Sequence, residues 1–307
     1  MYKIGNFNGH MIHTCFNPEG YYDHFNSDTT ELSTPGGKNV IELRQFAGHR
    51  DGTNIRYEFA LCPNVGFLAS PDLLMKDCEL KITFDRAAVE NALVQVAAPT
   101  TECKTLEIKD CVAVTEWVSS PSMTSFFKDV ENNPIVYKYD EIEVLAKPLP
   151  MNDRIIRLDN LKGGNIPTYL FAGMIPTAAL TGDVTLSSTN FACNNVEQLN
   201  ISLNGHSVTG FPIDVHECSD TNVLYQFNDT IGRLHNNGCG HGLKKAHFIS
   251  NFIWAHHFEA EITSQGWIGM DIKLKEPLTK SYTMVVWLIY PMSVTIDKFH
   301  NIEKQSH

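Results

Sequence analysis

The chain has 307 residues, a formal net charge of −11, and a composition that is 43% hydrophobic and 19% charged. This balance is typical of a globular protein, and it excludes both a disordered chain and a very small fold that depends on disulfide bridges. The acidic charge argues against a protein that wraps nucleic acid, because neutralising phosphates requires clustered Lys and Arg. We therefore expect no direct nucleic-acid binding.

The ends of the chain show no targeting or membrane signal. The first residues, MYKIGNFNGHMIH, lack a basic segment followed by an apolar run, so we expect that the protein is not secreted. The apolar run MVVWLIY at 284–290 is far shorter than the roughly 20 residues of a membrane span, which predicts a buried strand and no membrane association. The eight cysteines form no C-x-x-C pair and are expected to be reduced thiols.

Nearly every readable element has the two-residue period of a strand. In IRYEFALC, for example, the apolar residues Ile55, Tyr57 and Phe59 alternate with charged ones. In chain order, the predicted strands lie at 55–62, 78–86, 106–117, 139–146, 154–161, 168–176, 197–208, 247–262, 266–277 and 281–297. Asn204-Gly205 interrupts the strand pattern at 197–208 and predicts a tight hairpin there.

Helix signals are scarce, and only short helical turns are predicted, at 70–77 and 119–130. The glycine pairs Gly36-Gly37 and Gly163-Gly164 are predicted to be turns, since neither has the phosphate-loop sequence around it.

This arrangement predicts an all-β fold, which is a sandwich, a jelly roll or a barrel. The length accommodates two jelly rolls of about eight strands each. The segment KPLPMN at 147–152 brings two prolines between strand patterns, so we predict a first β domain at 1–150 and a second at 151–307.

The segment RLHNNGCGHGLKKAH at 233–247 is the strongest metal-site candidate, because it contains His235, Cys239, His241 and His247. Their spacing matches none of the standard zinc patterns. The interleaved glycines are typical of a surface loop instead. We therefore predict no bound metal and no cofactor.

The remaining titratable pairs offer no catalytic arrangement. His256 and His257 are adjacent in a strand pattern and point to opposite faces, so at most one of them could join a site with Glu259 or Glu261. Glu141 and Glu143 share one strand face, where solvated surface explains them better than acid/base chemistry does. The sequence therefore predicts a protein that is not an enzyme.

Several runs resemble uncharacterised proteins of invertebrate genomes that are related to capsid proteins of Polinton (Maverick) elements and adintoviruses. They are CELKITFDRA (78–87), VAVTEWVSSP (112–121), IRLDNLKGGNIPTYLFAGMIP (156–176), the LNG hairpin and VTIDKFHNI (294–302). The resemblance implies a double jelly roll and a hexon-like trimer that builds a shell. Because major capsid proteins of this lineage are often longer, either the first jelly roll is abbreviated or the protein is a minor or truncated form.

The resemblance implies a structural capsid subunit whose partners are itself and other capsid proteins, located in the virion and made in the host cytoplasm or nucleus. The candidate contact loops are NNGCGHG and TEWVSSPSMTSFF, with Trp117, Phe126 and Phe127 as possible anchors, because aromatic residues dominate interface energies. For Trp117 the alternative is an ordinary core residue. Alternatives are a minor vertex protein with a single jelly roll, a carbohydrate-binding sandwich and a metal-dependent jelly-roll enzyme.

Overall fold

The computed structural model describes residues 49–51, 54–56, 79, 81–83, 107–108, 112, 133–183, 186, 191, 196–208, 212–215, 221–234, 253–258, 265–297, 299 and 301–306. The strands in these residues are β1 (His49–Asp51), β2 (Asn54–Arg56), β3 (Ile135–Leu149), β4 (Ile155–Asn165), β5 (Tyr169–Pro176), β6 (Val196–Leu203), β7 (His206–Ser207), β8 (Ile213–Asp214), β9 (Trp254–His257), β10 (Gln265–Leu274), β11 (Tyr282–Ile296) and β12 (Ile302–Ser306). The helices are α1 (Thr177–Thr181) and α2 (Thr221–Leu234).

Apart from the small β1–β2 ladder, the strands form two five-stranded antiparallel sheets. Sheet A has the order β3-β11-β5-β9, and β12 pairs with the end of β11 that extends beyond β5. Sheet B has the order β4-β10-β6, and the short strands β7 and β8 both pair with the remaining edge of β6. The all-β prediction is confirmed.

The order of the strands is that of a jelly roll. If β7 and β8 are counted as two pieces of one strand, β3 to β11 number eight. Sheet A then contains the first, eighth, third and sixth strands, and sheet B contains the second, seventh, fourth and fifth. The chain therefore crosses repeatedly between the sheets, and among these eight strands sequence neighbours pair only around the β6–β7 turn.

The main core lies between the two sheets. Val286, Leu288 and Leu170 of sheet A are fully buried, as are Ile201 and Ile272 of sheet B. Each such side chain contributes roughly 1.5–3 kcal/mol by leaving water. The central strand β11 is buried on both faces, which confirms the buried strand predicted at 284–290.

Helix α2 is an element that the strand-dominated sequence pattern did not predict. Its buried residues Val223, Phe227, Thr230 and Ile231 recur at the helical spacing of three and four, whereas Tyr225 on the other side is 69% exposed. The buried side packs toward β9 and β5, where Phe227 meets Phe171 edge to face with 6.4 Å between ring centroids.

The local turn predictions have different outcomes. The hairpin at Asn204-Gly205 is confirmed, with φ angles of 52° and 82° at the two turn residues. The turn predicted at Gly163-Gly164 is wrong, because both residues lie in β4 and pair with Trp267 and Gly266 of β10. Gly36-Gly37 lies outside the described residues.

Most of the predicted elements before residue 133 lie outside the described residues. Of the strands predicted at 78–86 and 106–117, the described residues have no regular structure, so the predictions are wrong at these positions, which are Glu79, 81–83, 107–108 and 112. The predicted helical turns at 70–77 and 119–130 also fall outside the described residues, and a jelly roll at 1–150 stays a prediction. The described jelly roll itself begins at Ile135, because β3 pairs with β11 along its whole length.

Candidate assembly surfaces

The outward faces of the two sheets differ, and the strand register shows which residues lie on each face. In an antiparallel ladder, directly paired residues lie on the same face of the sheet. Glu143 pairs with the core residue Leu288, and its carboxylate accepts a 2.7 Å hydrogen bond from Nζ of Lys162 on β4. The face of sheet A that carries Leu288 therefore points toward sheet B, and the face that carries Trp287 points outward.

The outward face of sheet A is apolar and is covered in part. Phe227 of α2 covers Phe171, which is itself fully buried. Phe191 covers Trp287, with 5.5 Å between ring centroids in an edge-to-face arrangement. A Cβ atom added to Gly173 would lie only 2.6 Å from Cδ1 of Phe191, so the glycine is what allows this aromatic ring to approach the sheet.

The cover ends at the edge strand β3. Its outward residues Val144, Ala146 and Pro148 are exposed, Val144 by 55%, although they pair with the covered residues of β11. We call these three residues the β3 strip. Single exposed apolar residues are ordinary on a protein surface, whereas a contiguous apolar patch indicates a contact surface.

The outward face of sheet B carries ion pairs, together with the exposed apolar residues Ile155 and Trp267. The Glu197 carboxylate accepts a 2.8 Å hydrogen bond from Lys273 and a 3.1 Å hydrogen bond from Arg154. The hydrogen bond from Lys273, followed by that from Arg154, holds the pKa of Glu197 below its usual value. Asp271 lies 3.9 Å from Arg157 on the same sheet. Exposed pairs of this kind contribute little stability, and they mark a face that water covers.

The acidic pair Glu141 and Glu143 lies at the β3 edge of the sandwich, with both residues on the same face of the strand, as predicted. Glu141 accepts a 3.0 Å hydrogen bond from Lys304 on β12, and Glu143 bonds Lys162 as described above. Each carboxylate therefore has a lysine partner. These bonds link β3 to β12 and to β4, and the two carboxylates form no acid/base arrangement with each other.

His256 and His257 point to opposite faces of β9, as their adjacency predicts. His256 is partly buried on the inward face and lies edge-on to Phe258, with 4.7 Å between ring centroids. Burial, with a smaller contribution from the neighbouring His257, lowers its pKa from 6.5 to about 4. His257 on the outward face lies 5.1 Å from the ring of Tyr169. The possible partners Glu259 and Glu261 lie outside the described residues.

The other sequence candidates also fall outside the described part of the chain. These are the loop residues His235, Cys239, His241 and His247, and the aromatic residues Trp117, Phe126 and Phe127. Among the residues that are described, no three His, Cys, Asp or Glu side chains are placed to hold a metal ion. No described helix combines the length and the apolar character that crossing a membrane requires.

The candidate contact surface on sheet A was not predicted from the sequence. One signal for it is present: TYLFAGM and MVVWLI are apolar at consecutive positions, which indicates strands that are buried on both faces and therefore need a covering layer. A second signal is the spacing of Val223, Phe227 and Ile231, which identifies the helix that supplies part of that layer.

The described fold is thus a jelly-roll sandwich in which sheet B carries ion pairs on its outward face and sheet A has an apolar outward face that is covered in part. No protein-family model matches the sequence, and a search of curated proteins finds no significant match.

Solved structures to which the chain is similar are those of viral capsid proteins. A quasi-atomic model of the PBCV-1 virus capsid is 8% identical with a TM-score of 0.35, and the match covers 60% of this chain and 54% of that one. PBCV-1 VP54 fitted into a reconstruction of the virophage Sputnik is 9% identical with a TM-score of 0.36, over 61% of this chain and 54% of that one. The mavirus major capsid protein is 10% identical with a TM-score of 0.33, over 62% of this chain and 44% of that one. The chain therefore matches about half the length of each of these proteins.

Proposed function

We propose that the protein is a structural capsid subunit and not an enzyme, encoded by a virus or a virus-derived element of the Polinton (Maverick) and adintovirus type. The observation that carries the proposal is the outward face of sheet A, which is apolar and leaves Val144, Ala146 and Pro148 exposed at its edge. A jelly roll that meets water on both sides needs polar residues on both outward faces. A building block that packs against neighbours keeps one face apolar.

The quoted sequence runs that resemble capsid proteins of this lineage support the same function. The subunit would form a hexon-like trimer through contacts repeated around an axis, and trimers would pack into a shell. Its partners are itself and other capsid proteins, its location is the virion, and the chain is made in the host cytoplasm or nucleus. It binds no cofactor, nucleic acid or membrane directly.

The proposed subunit has two jelly rolls. Since β3 belongs to the described jelly roll, the first unit would end before Ile135, earlier than the division at 147–152 that the prolines predict. The proposed contact between subunits uses the β3 strip, while the outward face of sheet B, with its ion pairs, stays in water.

The test is the native mass of the purified chain, measured by light scattering after size exclusion over a range of concentrations. The expected species has three times the 34.5 kDa mass of the chain. Val144→Lys places a charge in the strip and is expected to shift the protein toward monomer. Ile155→Lys is the matched control, because Ile155 is similarly exposed, at 60%, but lies on sheet B.

A monomer at every concentration would contradict the proposed assembly. A stable oligomer of another size would favour the minor vertex protein over the hexon-like subunit. If Val144→Lys and Ile155→Lys leave the trimer equally intact, the β3 strip is not the contact. Particles seen by electron microscopy at high concentration would support the shell directly.

A further inference from the structure

Trp267 is an exposed aromatic residue on the outward face of sheet B. Its exposure is 39%, which is high for a side chain that folding normally buries. On β4 it pairs with Gly163, and on its other side lies the Asn204-Gly205 turn. Gly269 follows two residues later on the same face of β10. Glycines therefore occupy the positions around the ring from which a side chain would otherwise hide it.

The ring lies over the sheet and is held in place there. A Cβ atom added to Gly205 would lie 3.6 Å from Cζ2 and Cη2 of Trp267, and one added to Gly269 would lie 3.5 Å from Cζ3. The six-membered ring thus covers both glycines and turns its other face to solvent. The backbone N–H of Trp267 donates a 2.9 Å hydrogen bond to Oδ1 of Asn204, and its carbonyl accepts one of 2.9 Å from the Asn204 N–H. A surface fixed in this way loses little conformational entropy when a ligand binds.

Beyond Gly269 the same face carries hydrogen-bonding side chains. Ser202 pairs with Gly269, and Asp271 pairs with Asn200 on one side and with Arg157 on the other. Nδ2 of Asn200 lies 3.5 Å from the Asp271 carboxylate, and Nε of Arg157 lies 3.9 Å from it. Both distances are long for a hydrogen bond, so these groups retain donors and acceptors for a ligand.

The combination of an open aromatic face with neighbouring donors and acceptors matches the chemistry of a sugar ring. One face of a pyranose consists of C–H groups, which pack against the partly negative face of an aromatic ring. The hydroxyl groups around its rim both donate and accept hydrogen bonds. A nucleic-acid strand could also stack on the ring, but its phosphates would meet the Asp271 carboxylate and a chain with a net charge of −11.

We propose that the outward face of sheet B is a carbohydrate-binding site. A pyranose ring stacks on Trp267, and its hydroxyl groups bond the side chains of the neighbouring polar residues, which are Ser202, Asn200, Asp271 and Arg157. The site adds glycan recognition to the structural role proposed above. It involves sheet B alone, which the proposed subunit contact leaves free, so it does not depend on the trimer.

The test is binding of the purified full-length chain to an array of immobilised oligosaccharides, and to chitotriose, lactose and mannotriose in solution by saturation-transfer NMR. The wild type is expected to bind at least one sugar, with the strongest saturation on pyranose C–H protons. Trp267→Ala is expected to weaken that binding at least about tenfold, whereas Trp267→Phe keeps an aromatic face and part of the affinity. Tyr225→Ala is the matched control, because it removes an aromatic residue that is 69% exposed on α2.

Asp271→Ala tests the polar part of the site without removing the ring, so it keeps the test decisive if Trp267→Ala does not fold. It is expected to weaken binding several-fold. Asp229→Ala is its control, because it removes a carboxylate of similar exposure that also lies beside an arginine, but on α2. Urea denaturation of each variant shows that the sugar is offered to a folded protein.

Failure of the wild type to bind the array and all three free sugars would overturn the proposal. Binding that is unchanged in both Trp267→Ala and Asp271→Ala would do so as well, because the sugar would then lie elsewhere on the protein. Equal weakening in the two control variants would also contradict a site on sheet B. The native mass is measured separately, so a monomer that binds sugar through Trp267 would refute the trimer and leave this site in place.

Discussion

Acid is expected to destabilise the jelly roll through one partly buried histidine. The ring of His256 faces the core between the sheets, and burial lowers its pKa from 6.5 to about 4. The folded protein therefore takes up this proton less readily than the unfolded chain. Above about pH 6.5 the ring is neutral in both states, and the full stability is present.

As the pH falls below 6.5, the unfolded chain is protonated first, and the free energy of unfolding decreases. The loss continues until the pH passes the folded pKa of about 4. One pKa unit corresponds to about 1.4 kcal/mol, so a lowering from 6.5 to about 4 amounts to at most about 3 kcal/mol for this residue. That is a large share of the 5–15 kcal/mol by which a typical domain is stable.

The assay is urea denaturation, followed by tryptophan fluorescence, at several pH values between about 7.5 and 4. His256→Leu replaces the ring with an apolar side chain and is expected to remove about 3 kcal/mol of acid sensitivity relative to the wild type. His257→Leu is the matched control, because it changes the neighbouring residue on the opposite face of β9. If His256→Leu loses stability with pH in parallel with the wild type, burial of this ring is not the cause.

Three further outcomes are expected. Gly173→Ala should lower the free energy of unfolding by about 1–3 kcal/mol, because the new Cβ forces the Phe191 ring away from the sheet; an unchanged urea midpoint would show that the ring moves freely. Phe227→Ala should cost about 3–5 kcal/mol in the same assay, while Tyr225→Ala on the exposed side of α2 should cost little; equal effects would mean that α2 does not pack as described. Metal analysis of the purified protein should find no stoichiometric metal, with the same content in His241→Ala; a metal lost in that variant would support the enzyme alternative.

The features that the sequence predicted well are those that neighbouring residues decide. Leu199, Ile201 and Leu203 alternate with polar residues, and Asn204-Gly205 then accepts the positive φ angles of the turn, so one short window contains the whole hairpin. The burial of β11 is also decided by neighbouring residues, because its continuous apolar run predicts a strand that is buried on both faces.

The features that were missed depend on partners far away in the chain. Gly163 and Gly164 look like a turn, but pairing with β10 a hundred residues later makes them part of a strand. The apolar face of α2 contains Thr230 beside Phe227 and Ile231, which weakens the helical pattern in the sequence although Thr230 is buried.

The candidate contact surface could not be predicted from the sequence for the same reason. Val144, Leu145 and Ala146 are apolar at consecutive positions of a strand, which shows that both faces of β3 are partly apolar. It does not show that sheet B covers one face, or that the cover of the other stops before β3. Only the packing of α2 and Phe191 distinguishes the covered strands from the exposed edge.

The asymmetry of the sandwich argues for an assembled protein over a solitary binding module. Sheet B carries ion pairs on its outward face, as a sheet in water should, so the chain is able to encode a solvated sheet. On sheet A the outward residues Trp287 and Phe171 are apolar and covered, and the same apolar face continues onto Val144 without cover. An isolated exposed apolar residue, such as Ile155 on sheet B, is ordinary on a protein surface, whereas Val144 continues an apolar face that is covered on the neighbouring strands. An apolar residue there is useful when a neighbouring subunit removes it from water, and this places the expected contact on β3 and leaves sheet B free.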